Sequence, residues 1–218
     1  MISFSTRTCG QHAHPEFTVQ FAGKPIPGGE RLLLSYFEAE VARGARFGPG
    51  HTIGLGGHTL RLVDRRDGTL GVEEPIPSPK PKWIEAVDRT VREVMFQRWI
   101  CDSVGQLPSF PPRGSDCLAS ACSEGSDAIV LTRVEPPAGL PQASGWMISC
   151  PEDHDHGERT PLPLLALSAL RPFAVQFLAL PTESAVLLLP PGRAHVFFRG
   201  KGVIPAAGSY LESLNQRG

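Results

Sequence analysis

The chain has 218 residues, a formal net charge of −1 and a charged fraction of 20%. That length allows one large domain or two of about 100 residues each, and a hydrophobic fraction of 41% excludes a wholly disordered chain. A charge so near zero leaves no chain-wide electrostatic footprint for nucleic acid or an acidic membrane.

In the N-terminal half, Phe17, Val19 and Phe21 alternate with polar residues, which predicts a half-buried strand. Residues 28–44 switch to a helical period, with Leu33, Phe37 and Val41 on one face and Gly44 as the stop. The glycine cluster GPGHTIGLGGHTL lacks the Lys-Ser/Thr ending of a phosphate loop, and the segment after it alternates, so these read as turn glycines before a hairpin. In that hairpin Leu60 and Leu62 face Leu70 and Val72 across a turn at Asp67-Gly68. A proline-rich stretch at 75–82 precedes a predicted helix over 83–104. Its buried stripe is Ile84, Val87, Val91, Val94 and Met95, and its wet side is Arg89, Arg92 and Glu93.

The strongest boundary is GQLPSFPPRGSD at 105–116, where prolines and glycines stop a helix. Beyond it, DAIVLTRVE and SGWMIS read as strands, and LPLLALSAL is an apolar segment ended by Pro172. Of FAVQFLAL, SAVLLL and AHVFFRG two or three are strands, with helix open for the first. The expected fold is α+β in two small units, each a few-stranded, largely antiparallel sheet packed with one or two helices. Residues 1–106 form the first domain, 107–115 a Pro/Gly linker and 116–218 the second.

The N-terminus lacks the basic and apolar segments of a secretion signal, and no apolar run approaches the roughly 18–20 residues that span a bilayer. Five cysteines are an odd number in a chain too long to need disulfide staples, so reduced thiols in a cytoplasm are expected.

Candidate chemistry is sparse. There is no Gly-x-Ser-x-Gly elbow. Cys117 and Cys122 form a C-x4-C pair without a second pair at zinc-finger spacing, so both read as buried structural thiols. His12 and His14 read as a tail or first strand, and His195 as an edge or core histidine. The densest stretch is SGWMISCPEDHDHGERTP. In it Glu152, Asp153, Asp155 and Glu158 surround His154 and His156. An imidazole pair with carboxylates can ligate zinc or a harder ion, but catalytic zinc needs a third protein ligand and a positioned base. The sequence shows neither, so no metal, cofactor or catalytic residue is expected. The run reads as an exposed acidic loop used in recognition, with a plain solvated loop as the competing reading. Ser144, Gly145 and Trp146 read as a structural anchor, glycine allowing close approach and tryptophan packing a strand on the core.

VLTRVEPP followed by SGWMISCPED resembles the motif of bacterial immunity-protein domains found beside polymorphic and type VI secretion toxins. The matching positions are Arg133, Glu135 and Pro136, then Ser144, Gly145 and Trp146, then Glu152 and Asp153, with LALPTESAVLLL at the later turn and strand. The resemblance covers roughly residues 128–200. Pro151 and Ala143 depart from it, standing where a polar residue or glycine and an acid would be expected. The N-terminal half looks like the extra domain of larger members, and the whole is similar to the immunity partner of a type VI nuclease effector. The resemblance implies a non-catalytic cytoplasmic protein whose partner is a cognate toxin, with no nucleic-acid or membrane partner. Glu152, Asp153, Asp155 and Glu158 are its candidate toxin-binding residues, with His154 and His156 as rim contacts. Two alternatives stand beside it. One is a metal-dependent hydrolase using the two histidines and a carboxylate; the other is a chaperone or adaptor for a secreted effector.

Overall fold

The computed structural model describes residues 1–76, 82–112, 114–136, 138–140 and 142–217; most of the proline stretch before the expected long helix lies outside them. The fold is α+β, with two mixed sheets and four α-helices among the described residues. Two compact units make it up, Met1–Met95 and Phe96–Gly218.

The first unit contains β1 (Ile2–Ser5), β2 (Phe17–Phe21), α1 (Gly29–Ala42), β3 (Thr52–Leu55), β4 (His58–Asp64), β5 (Leu70–Ile76) and β6 (Lys82–Ile84). Its sheet runs β1-β2-β5-β4-β3, with β6 also paired to β5. All pairs are antiparallel except β2 with β5. The alternation in β2 buries Phe17, Val19 and Phe21, and the helical period of α1 buries Leu33, Phe37 and Val41. Phe17 and Phe37 stack with ring centroids 3.9 Å apart, which ties helix to sheet. Gly44 ends the helix at φ 95°. In the predicted hairpin Leu62 stands opposite Val72, and the side chain of Asp67 accepts hydrogen bonds from the amide and hydroxyl of Thr69 at the turn. The glycine cluster forms a hairpin of its own, with β3 and β4 joined at Gly56-Gly57.

The expected helix over 83–104 is shorter. Residues Lys82–Ile84 pair with β5 as β6, and helix α2 (Asp88–Ser103) follows. Ile84 is therefore an exposed strand residue, outside any helical stripe, and Met95 is half-buried. The start of α2 is fixed by two carboxylates. Glu74 accepts hydrogen bonds from the free amides of Arg89 (3.1 Å) and Thr90 (2.7 Å), and Asp88 accepts from Ala22 (2.8 Å). Arg89 and Glu93 also depart from their expected wet side, for their side chains are only 16% and 14% exposed. The division between the units falls within α2, so the proline stretch at 107–115 belongs to the second.

The second unit adds β7 (Asp116–Ser120), β8 (Ile129–Arg133), β9 (Ala143–Ser149), β10 (Arg159–Pro163), α3 (Leu164–Leu170), β11 (Ser184–Leu189), β12 (Arg193–Phe198), β13 (Lys201–Gly202) and α4 (Tyr210–Arg217). Its sheet runs β10-β7-β9-β8-β11-β12-β13. Only β7 with β9 is parallel. SAVLLL and AHVFFRG are strands, whereas FAVQFLAL is a short 3-10 helix, Ala174–Phe177, with its neighbours. That run is buried almost throughout rather than on alternate residues, and Trp146, Leu131, Ile148 and Val186 of the sheet join it in one core with Ile100 of α2.

Candidate functional site

Sheet topology sets the site. Strands β7 and β9 run parallel, with Leu118 beside Met147 and Ala119 beside Ile148, so both chains leave the sheet at the same end. Strand β10 is antiparallel to β7, with Arg159 opposite Ser120, and so enters at that end. Three strand termini converge there. Beyond β7 the chain makes a 3-10 turn, Ala121–Ser123, that holds Cys122. Beyond β9 comes Cys150, and the loop from there to β10 carries His154 and His156.

One ligand-type atom from each of Cys122, Cys150, His154 and His156 lies within 4.8 Å of the other three. Cys150 Sγ is 3.0 Å from His154 Nε2 and 3.7 Å from His156 Nδ1, and Cys122 Sγ is 3.3 Å from His156 Nδ1. The two imidazole rings meet edge to face at 4.7 Å. His154 Nδ1 is 2.8 Å from the carbonyl of Asp155, which places its proton there and leaves Nε2 as the free lone pair. Ser120 is buried and bonds both the carbonyl of Ile148 (3.0 Å) and Cys122 Sγ (3.2 Å). That hydroxyl, followed by the backbone amide of Cys150, pulls the Cys122 thiol down to about 6. Burial pushes Cys150 the other way, and the Asp155 carbonyl raises His154.

Glu152, Asp153, Asp155 and Glu158 are all exposed around this cluster, as is His154; His156 is half-buried. Asp155 closes the loop on itself by accepting the amide of Gly157 at 2.9 Å. The sequence offers the histidines and acids as a contiguous run. Cys122 is the residue it conceals, because this thiol is brought in by parallel pairing and not by spacing. Cys122 is thus half-buried among imidazoles, in contrast to the expected structural thiol. Cys117 does have that character. It is buried, donates to the carbonyl of Leu162 at 3.3 Å, and its thiol is pushed up to about 12 by burial. The only local signal for the cluster is the spacing Cys150-x3-His154-x-His156.

Ser144, Gly145 and Trp146 lie elsewhere, in β9 opposite the end of β8, where Arg133 pairs with Trp146. Trp146 is 1% exposed and donates Nε1–H to the carbonyl of Leu178 at 2.9 Å. Ser144 Oγ donates to the carbonyl of Asp116 at 2.7 Å and accepts the amide of Trp146 at 3.2 Å. Gly145 has φ +78°, and a Cβ there would lie 2.2 Å from the carbonyl oxygen of Val134, so only glycine fits. Arg133 is buried, donates to the carbonyls of Ser109, Leu178 and Leu180, and lies 5.6 Å from the Trp146 ring centroid. The hydrogen bonds of this set go to main chain, and Arg133 Nε is left buried without a partner.

Comparison with known proteins bears on this second unit. No curated protein and no solved structure matches the chain. Residues 96–199 match the model of the Imm33-like domain, a span that opens at the first residue of the second unit and takes in β7 to β12 together with the Cys/His cluster and the Ser-Gly-Trp strand. Over that span the second unit is similar to the Imm33-like domain, a likeness that supports an immunity-protein reading.

Proposed function

We propose that this protein neutralises a cognate toxin by binding it, without catalysis of its own, and that the toxin is a type VI secreted nuclease. The Imm33-like match over residues 96–199 carries the reading. The loop at 150–158 gives it a surface. Glu152, Asp153, Asp155 and Glu158 stand exposed on a segment held at one end of a sheet. A nuclease is basic where phosphates run, so a carboxylate-rich loop competes for that face and steers the encounter. Most of the affinity would come from apolar anchors, as in other protein pairs of this size.

The test is coexpression with the product of the neighbouring gene, scored for survival and copurification. Immunity requires both; an export adaptor copurifies but leaves the toxin lethal. Reversing all four acids to lysine should then slow association by about tenfold or more at low salt and abolish protection. Unchanged association and protection would remove the loop from the interface.

A further inference from the structure

We propose that Cys122, Cys150, His154 and His156 are the four ligands of a structural zinc ion that pins the loop at 150–158 to the end of the second sheet. The inference stands apart from toxin binding and would hold whatever the protein's partner.

Donor geometry supports it first. Zinc bonds of about 2.3 Å to sulfur and 2.0–2.1 Å to nitrogen put the corners of a tetrahedron about 3.3–3.8 Å apart. Three sulfur–nitrogen pairs are separated by 3.0, 3.3 and 3.7 Å, and all four donor atoms lie within 4.8 Å of one another, so small adjustments complete the cage. Donor chemistry selects the ion. Two thiols and two imidazoles favour zinc over magnesium or calcium, which take oxygen ligands. Four protein donors also fill the tetrahedron, leaving no open position for water or substrate, which separates this site from the hydrolase alternative.

The surroundings are those of a built site. The Nδ1–H of His154 is given to the carbonyl of Asp155, which fixes the tautomer and aims Nε2 at Cys150, the arrangement that orients metal-bound histidine. The buried hydroxyl of Ser120 holds Cys122 from one side while anchored to Ile148 on β9. The contrast with the other cysteines is informative. Cys101 and Cys117 each give their S–H to a main-chain carbonyl, of Ala179 and Leu162, and Cys9 to the hydroxyl of Thr6. Only Cys122 and Cys150, among the described residues, face imidazole. Exposed carboxylates at 152, 153, 155 and 158 add a negative field that favours a cation.

The experiment uses the full chain, made without a histidine tag, saturated with zinc under reducing conditions and passed through a desalting column. Elemental analysis should return one zinc per chain. Cys122→Ser/Cys150→Ser and His154→Ala/His156→Ala should each lower it at least tenfold, with far-UV circular dichroism unchanged. Cobalt(II) loading of the wild type should give the visible bands of a tetrahedral ion and a near-ultraviolet thiolate band, both lost in the cysteine variant. Should a variant not fold, the wild-type cobalt spectrum decides alone. Absence of retained zinc and of the thiolate band overturns the proposal, as does zinc content unchanged in both variants. A Cys122–Cys150 disulfide that persists in the reductant overturns it equally.

Discussion

Two constellations in the second unit are built from similarly polar side chains and differ in what satisfies them. Arg133, Ser144 and Trp146 donate to main-chain carbonyls, those of Ser109, Leu178, Leu180 and Asp116, with Arg133 Nε left over. Cys122, Cys150, His154 and His156 have mainly one another, at distances of 3.0–3.7 Å. The first set is closed but for Arg133 Nε, for its bonds complete the backbone accounting of a strand crossing. The second is open, with lone pairs converging on a common centre. Polar density in a sequence says nothing about which kind is present; partners do.

Breaking the closed set should cost most. Gly145→Ala adds a Cβ at 2.2 Å from the Val134 carbonyl oxygen and in the left-handed region, two penalties that together reach about 3 kcal/mol or more. Urea denaturation should show the second unit largely unfolded, and near-native stability would contradict the close approach of β8 and β9. Arg133→Met removes the donor from the buried carbonyls of Leu178 and Leu180 and from that of Ser109, and should cost about 3 kcal/mol by the same measurement. Methionine fills much of the volume, so a loss below about 1 kcal/mol would mean those carbonyls find water.

The open set should respond to metal instead. With free zinc at a hundred times its dissociation constant, the ion would add about 2.7 kcal/mol of stability, and a chelator would take it away. Cys122→Ser should be insensitive to both treatments. A chelator effect equal in wild type and variant would erase the distinction between the two sets.

How much of this could be read from sequence follows the same division. Period-two and helical patterns placed β2, α1, the β4–β5 hairpin, β8 and β9 because each buries one face, and that leaves a regular trace. The run FAVQFLAL left none, since it is buried on all sides and takes a 3-10 turn between prolines. Strand β10 was hidden for the opposite reason. Its sequence RTPLP is mostly exposed and holds two prolines, which an edge strand tolerates. The helix predicted over 83–104 begins late because Glu74, fourteen residues upstream of Asp88, supplies the cap. In the site, the acids and histidines were legible as a run. Cys122 was not, because it joins Cys150 through parallel pairing between strands that are not consecutive in sequence.

A third constellation, in the first unit, lies between closed and open and gives the smallest prediction. Glu93 is 3.3 Å from His58 Nε2 and 3.6 Å from Arg89 Nη1, with all three side chains largely buried. Burial, helped by Arg89, holds the His58 imidazole down to about 3, so the contact joins a neutral ring to a carboxyl and is not an ion pair. Burial also pushes Glu93 up to about 7, against the pull of Arg89 and with the nearby charge of Glu74 adding to the rise. The folded state therefore binds the Glu93 proton more tightly than the unfolded chain does. Its contribution is fully present below the ordinary carboxyl range near 4.5 and is lost as pH rises to about 7. His58 acts oppositely, for its depressed basicity adds stability as pH rises from about 3 to 6.5. Glu93→Gln isolates the first effect by leaving the second in place. The variant should match the wild type near pH 4.5 and exceed it by about 1–2 kcal/mol above pH 7, read from paired urea titrations. A difference independent of pH would mean that Arg89 compensates the buried charge in full, which would make this cluster as closed as the one around Arg133.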